Sequence, residues 1–186
     1  MRASVEPGED FCRVFVFLVE VRCLFGRHTC HHAPQHAGQA RLVVLIADEA
    51  HAATGAAVVT DEGFRETDFG AWEGLTFAEV RERWPGEVTT WLADPAVAPP
   101  GGESFAEVSN RVTEALHRVL AGRARQTVLI VSHVTPIKTL VAQALLAPPP
   151  ALYRMHLDVA ALCEIDWYPD GPAVLRSFND TAHLTG

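Results

Sequence analysis

The stretch from Thr127 to Leu145 constrains the fold more than any other part of the chain. Thr127-Val128-Leu129-Ile130-Val131 is a short, wholly apolar run rich in β-branched residues, as a buried strand would be. Ser132-His133 follows, and Thr135-Pro136 then begins a segment bearing Ile137, Leu140, Val141, Ala144 and Leu145 at helical spacing. A strand, a tight turn and a helix in direct succession point to an α/β architecture.

Other segments fit the same class. Val14 to Val19 and Arg41 to Ile46 are rich in branched and aromatic residues and are expected strands, with Phe25 to Gln39 as a loop carrying Gly26, Pro34 and Gly38. Asp48 to Thr54 reads as a helix stopped by Gly55, and Ala56 to Thr60 as a short strand. Thr76 to Trp84 is an expected helix, opened by a Thr76/Glu79 capping box and ended by Pro85-Gly86. A second helix covers Glu87 to Ala93, before a loop marked by Pro95, Pro99, Pro100, Gly101 and Gly102. Ser104 opens the clearest helix: it forms a capping box with Glu107, and Phe105, Val108, Val112, Ala115, Leu116 and Val119 share one face. Beyond Pro148-Pro149-Pro150, Ala161 to Tyr168 and Ala173 to Phe178 read as strands joined by a Pro169-Asp170-Gly171 turn.

A chain of 186 residues builds its own core without disulfide or metal support. Its net charge of −8 and lack of a basic stripe exclude sequence-independent nucleic-acid binding as a partner class. The Val14–Val19 run is far shorter than the roughly 20 residues of a membrane span, and Glu6, Glu9 and Asp10 before it do not suit a signal peptide. No membrane partner is expected, and the setting is expected to be cytoplasmic, with Cys12, Cys23, Cys30 and Cys163 reduced. Three of these four cysteines, with His28, His31, His32, His36 and His51, crowd the first 51 residues, so composition shifts along the chain. Cys23, Cys30, His31 and His32 lack the C-x2-4-C pair of a structural zinc site; no metal or other cofactor is expected, and a zinc-dependent interaction module at Cys23 to His36 is kept as one alternative. Nothing in the sequence sets the oligomeric state.

His133 stands at the carboxyl end of a buried strand, just ahead of a helix, where α/β sheets place their ligands. The helix amides and dipole at that point suit a phosphate or another anion, and Ser132 and Thr135 offer hydroxyls to it. Glu66 lies between the Ala56–Thr60 segment and a Gly70-Ala71-Trp72-Glu73-Gly74 turn, where Trp72 would lower the polarity around an acid catalyst. A structural reading stands beside each: a hydrogen-bonded strand-end histidine, a Glu66 or Glu73 that caps turn backbone, and a Glu103 that is only solvated charge.

Three motifs in order resemble the histidine phosphatase, or phosphoglycerate mutase-like, superfamily. They are Phe64-Arg65-Glu66-Thr67-Asp68-Phe69-Gly70-Ala71-Trp72-Glu73-Gly74, Pro100-Gly101-Gly102-Glu103-Ser104 with Arg111, and Val131-Ser132-His133. More narrowly, Val131 to Lys138, Leu152 to Asp158 and Asn179 to Leu184 are similar to the acid phosphatase domain that follows a ribonuclease H domain in some bacterial bifunctional proteins; no ribonuclease H portion is visible. The resemblance implies a phosphoglycerate mutase-like three-layer α/β sandwich and a phosphomonoesterase acting on a small phosphorylated substrate through a phosphohistidine. It makes Glu66 the proton donor and acceptor and His133 the second pocket histidine; Ser132 and Thr135, from their place at the strand end and helix start, are the candidate substrate ligands. The family's first strand ends in Arg-His-Gly, which this sequence lacks. The nearest string is Arg27-His28-Thr29, 38 residues before Glu66, so Arg27 is the candidate phosphate ligand and His28 the candidate nucleophile. The resemblance begins near Ala47, dividing the chain into an atypical or incomplete segment, 1–46, and a phosphatase-like domain, 47–186. Residues 1–46 are read as a substituted or out-of-frame start, and a catalytically inactive remnant that binds phosphate-containing ligands or a partner remains the alternative.

Overall fold

The alternation of Cys12, Val14 and Val16 with Arg13 and Phe15 makes a strand with one apolar face, and it forms the centre of the sheet. The computed structural model describes residues 11–18 and 48–185. Among the described residues four strands form the sheet, β1 (Cys12–Leu18), β2 (Thr127–Ser132), β3 (Leu162–Trp167) and β4 (Ala173–Asp180), in the order β2-β1-β3-β4. β1 runs parallel to β2, from Arg13 opposite Thr127 to Leu18 opposite Ser132, and antiparallel to β3, which pairs antiparallel with β4. The strand expected at Val14 to Val19 is therefore an interior strand, and the one expected at 41–46 lies outside the described residues.

The helices are α1 over 48–54, α2 (Phe77–Arg83), α3 (Pro85–Ala93), α4 (Phe105–Leu120) and α5 (Val134–Ala144). Thr76 and Ser104 close the two expected capping boxes, each accepting from the backbone N–H three residues on. Val108, Val112, Ala115 and Leu116 of α4 and Ile137, Leu140 and Val141 of α5 join Val14, Val16, Ile130, Cys163 and Ile165 in one buried cluster. The other face of the sheet carries Arg13, whose guanidinium donates to the buried Asp166 at 2.8 and 3.2 Å. A second cluster gathers Phe69, Trp72, Val80, Val88, Trp91 and Phe105 beneath α2 and α3.

Three local expectations are corrected. Residues 56–60 belong to no strand: all are exposed, Val59 to 78%, and β-branched residues favour a strand only where a pleated, half-buried surface receives them. Pro85 does not merely end a helix but starts α3, at a position where its missing N–H has no partner to lose. The ring of Trp72 stands edge-on to Trp91, with centroids 5.5 Å apart, and is 1% exposed, so its apolar surface serves the second cluster. No described helix is long and apolar enough to cross a membrane.

Candidate functional site

The parallel pairing of β1 and β2 brings their carboxyl ends to one rim, and α5 starts immediately beyond it. His133 is the N-cap residue of α5, half-buried and extended (φ −118°, ψ 174°), and its ring makes no capping bond to the helix. Ser132 is fully buried, and Thr135 lies buried in the first turn of α5. The early amides of an 11-residue helix face this rim, giving it a positive electrostatic bias.

Glu66 reaches the same region on a loop that has little regular structure of its own. Phe64 anchors it in the main core after a single 3-10 turn, Glu62–Phe64, capped by Asp61. Asp61 accepts from the Gly63 N–H at 2.8 Å and takes a two-pronged bond from Arg118, whose guanidinium holds its carboxyl below the usual range. Gly63 passes so close to α4 that a side-chain carbon there would overlap Ala115 Cβ and lie 3.0 Å from the Arg111 carbonyl.

The carbonyls of four successive residues on this loop are taken by two side chains. Arg111 Nη1 donates to Gly63 at 2.9 Å and to Arg65 at 2.8 Å, and Nη2 donates to Glu66 at 3.1 Å. The Phe64 carbonyl accepts from Ser132 Oγ at 2.7 Å. Ser132 thereby links the loop to the strand end that precedes His133. Glu66 is half-buried and its Oε1 accepts from the Thr67 N–H at 2.7 Å; Glu73 Oε1 caps the Phe69 N–H at 2.9 Å.

Glu103 is not a solvated charge. Its side chain is 12% exposed and accepts from Arg111 Nε at 2.7 Å and Nη2 at 3.0 Å, from Arg65 at 3.1 Å and from the Asp68 N–H at 3.3 Å. Burial alone would push its carboxyl up; the Arg111 bonds and charge, the Asp68 amide and Arg65 outweigh this and hold it below the usual range. The Glu103 amide donates to the Asp68 carbonyl at 2.7 Å, locking the Gly101-Gly102 segment against the Glu66 loop.

The Ser132–Phe64 bond thus joins the loop that carries Glu66 to the strand end that leads into His133 and Thr135, and the structure adds Arg111 and Glu103, to which the sequence reading gave no such work. A sequence signal for Arg111 exists: it sits three residues after Val108 and four before Ala115, on the apolar stripe of an amphipathic helix. Arg27, His28 and the Cys23, Cys30, His31 and His32 group lie outside the described residues. Among the described residues no group of three or more His, Cys, Asp or Glu side chains is placed to hold a metal ion. Two further segments singled out in the sequence also meet: the Asp158 N–H donates to Asn179 Oδ1 at 2.7 Å, and Asn179 Nδ2 donates back to Asp158 Oδ2 at 2.8 Å. They lie toward the rim where Leu162 pairs with Phe17 on one side and Asp180 on the other.

Comparison with known proteins agrees with this architecture. The family model described as the histidine phosphatase superfamily (branch 1) matches residues 43–181. The chain is 51% identical over 127 residues to the bifunctional protein Rv2228c of Mycobacterium tuberculosis, covering 68% of this chain and 35% of that protein; it thus spans about a third of that relative's length. It is 31% identical over 128 residues to phosphoserine phosphatase 1 of Hydrogenobacter thermophilus, covering 68% of this chain and 60% of that one. Mycobacterial glucosyl-3-phosphoglycerate phosphatase Rv2419c shares the fold, with a TM-score of 0.67 at 22% identity over 90% of this chain and 98% of that chain. The α/β fold, the rim of parallel strand ends and the matched sequence together place this chain in the histidine phosphatase superfamily, branch 1.

Proposed function

We propose that the domain from about residue 47 onward, with β1 of the 1–46 segment completing its sheet, hydrolyses a small phosphomonoester through a phosphohistidine, without a metal or other cofactor. The observation that carries this reading is the Ser132–Phe64 hydrogen bond, which joins the Glu66 loop to the strand end bearing His133. On this reading His133 and the first amides of α5 balance charge on the transferring phosphoryl oxygens. Glu66 donates a proton to the departing alcohol oxygen as a histidine nitrogen takes the phosphorus. It then accepts a proton from the water that displaces that nitrogen and releases phosphate. Ser132 supports the site through its bond to the loop, Thr135 lines the helix start, and Arg27 and His28 are the candidates offered by the sequence for phosphate ligand and nucleophile. The free, buried thiols of Cys12 and Cys163 support a cytoplasmic, reducing setting.

A second reading is favoured by one observation. β1 pairs Leu18 with Ser132, and Val19 follows in the sequence, whereas the family resemblance calls for Arg-His-Gly at the end of the first strand. On that reading the domain holds a phosphate-containing ligand without turning it over. Hydrolysis of p-nitrophenyl phosphate with EDTA present, from mildly acid to neutral pH, separates the two. Turnover by the parent that collapses in Glu66→Gln and His133→Ala supports the hydrolase. A folded parent that phosphate stabilises against heat, with no turnover, supports the binding reading.

A further inference from the structure

We propose that Arg111 is the positioning residue for Glu66: its guanidinium fixes where the carboxylate stands by clamping the backbone that carries it. This rests on the reading of Glu66 as the acid and base given above.

A loop outside helix or strand has no ladder to hold its carbonyls, so the aim of a side chain on it depends on whatever else takes them. Here one guanidinium does. Arg111 donates to the carbonyls of Gly63, Arg65 and Glu66 and, through Nε and Nη2, to both oxygens of Glu103. These bonds engage all the N–H donors that an arginine possesses. Glu103 extends the clamp to the far side of Glu66, accepting the Asp68 N–H and donating its own N–H to the Asp68 carbonyl. The segment is thus pinned at Arg65, Glu66 and Asp68, and the Thr67 N–H between them donates to Glu66 Oε1. With its donors engaged in this way, Arg111 acts on the loop and not on the phosphoryl group.

The geometry demands arginine. A lysine keeps the charge but offers three donors on a rotating ammonium, with no planar fork to span a carboxylate and a run of carbonyls. Arg111→Lys should therefore weaken acid catalysis more than it weakens phosphoryl binding. Proton donation matters for a poor alkyl leaving group and hardly at all for dinitrophenolate, which departs as a stable anion. In the full chain, Arg111→Lys should lower kcat/KM for β-glycerophosphate by about a hundredfold, the scale of a general acid, while leaving kcat/KM for dinitrophenolate release from 2,4-dinitrophenyl phosphate, which reports only the steps up to departure of the leaving group, little changed, as Glu66→Gln should. An equal loss on both substrates, or none on either, overturns the proposal. If Arg111→Lys does not fold, Glu103→Gln makes the same test with the side-chain shape kept.

Should the parent hydrolyse neither substrate, the hydrolase reading fails and hydrogen exchange decides the positioning role. Faster exchange at the Thr67 and Asp68 amides in Arg111→Lys, with α4 as protected as in the parent, supports the clamp. Unchanged exchange at those two amides overturns it.

Discussion

The Ser132 hydroxyl donates to the Phe64 carbonyl at 2.7 Å across 68 residues of sequence, and both residues are buried. Ser132→Ala would leave that carbonyl sealed from water with no donor, which costs about 1–3 kcal/mol. At roughly 2–4 °C per kcal/mol for a domain of this size, the melting temperature should fall by several degrees. Calorimetry of the two proteins checks this; an unchanged melting temperature would mean that another donor replaces the hydroxyl.

The Glu103–Arg111 pair makes stability pH-dependent in a defined direction. The folded-state carboxyl titrates below its unfolded value, because the Arg111 bonds and charge outweigh the opposing effect of burial. Its contribution is therefore complete above the unfolded pKa of about 4.3 and is lost as pH falls through the lower folded value. Glu103→Gln removes the charge while keeping the shape. Urea midpoints of parent and variant should differ most at neutral pH and converge as pH falls below the unfolded value of about 4.3 and through the lower folded one. A gap that stays constant across that range would show that the Glu103 carboxyl titrates alike in the folded and unfolded protein.

Much of this was legible in the sequence because local chemistry and global placement agree there. The capping boxes at Thr76 and Ser104 and the apolar stripe of α4 form as their spacing demands. The Thr127–Ser132 strand running into α5 places His133 at the rim for the same reason. What escaped were relationships between distant segments. Residues 56–60 carry strand-forming side chains, yet their fate depends on a neighbouring surface that local propensity does not describe. Glu103 reads as a surface charge until Arg111, two helical turns along, and the Arg65–Asp68 loop close over it. Trp72 sits close to Glu66 in sequence, but the packing of α2 and α3 draws its ring to Trp91.

The contact between the Glu66 loop and the segment before α4 depends on glycine. Gly70 has φ +53°, and a side-chain carbon there would overlap the Pro100 carbonyl oxygen and lie 2.5 Å from the Gly102 amide. Backbone cannot move aside as a flexible side chain can, so Gly70→Ala adds a steric clash to the roughly 1–3 kcal/mol strain of a left-handed non-glycine residue. Gly86, in the first turn of α3, has open space around it, and Gly86→Ala should be neutral or stabilising by up to about 1 kcal/mol. Urea denaturation of both variants makes the comparison; equal midpoints would show that the Gly70 crossing relaxes freely.

Tyr153 provides an optical test of the second core cluster. Its ring lies 5.8 Å from both Trp91 and Phe105, and its hydroxyl donates to the Trp91 carbonyl at 3.2 Å. The residue as a whole is 37% exposed, and the partial burial of its hydroxyl pushes the phenol up to about 12. A raised phenol pKa favours the neutral form in the folded protein. Its contribution to stability is therefore complete below the unfolded value near 10 and is lost as pH rises toward about 12. The chain has two tyrosines. A rapid pH jump, with phenolate absorbance read before the protein unfolds, should show one phenol that ionises only near pH 12, and Tyr153→Phe should abolish that late component. If the late component survives in Tyr153→Phe, the hydroxyl is open to solvent and the aromatic cluster does not close over it.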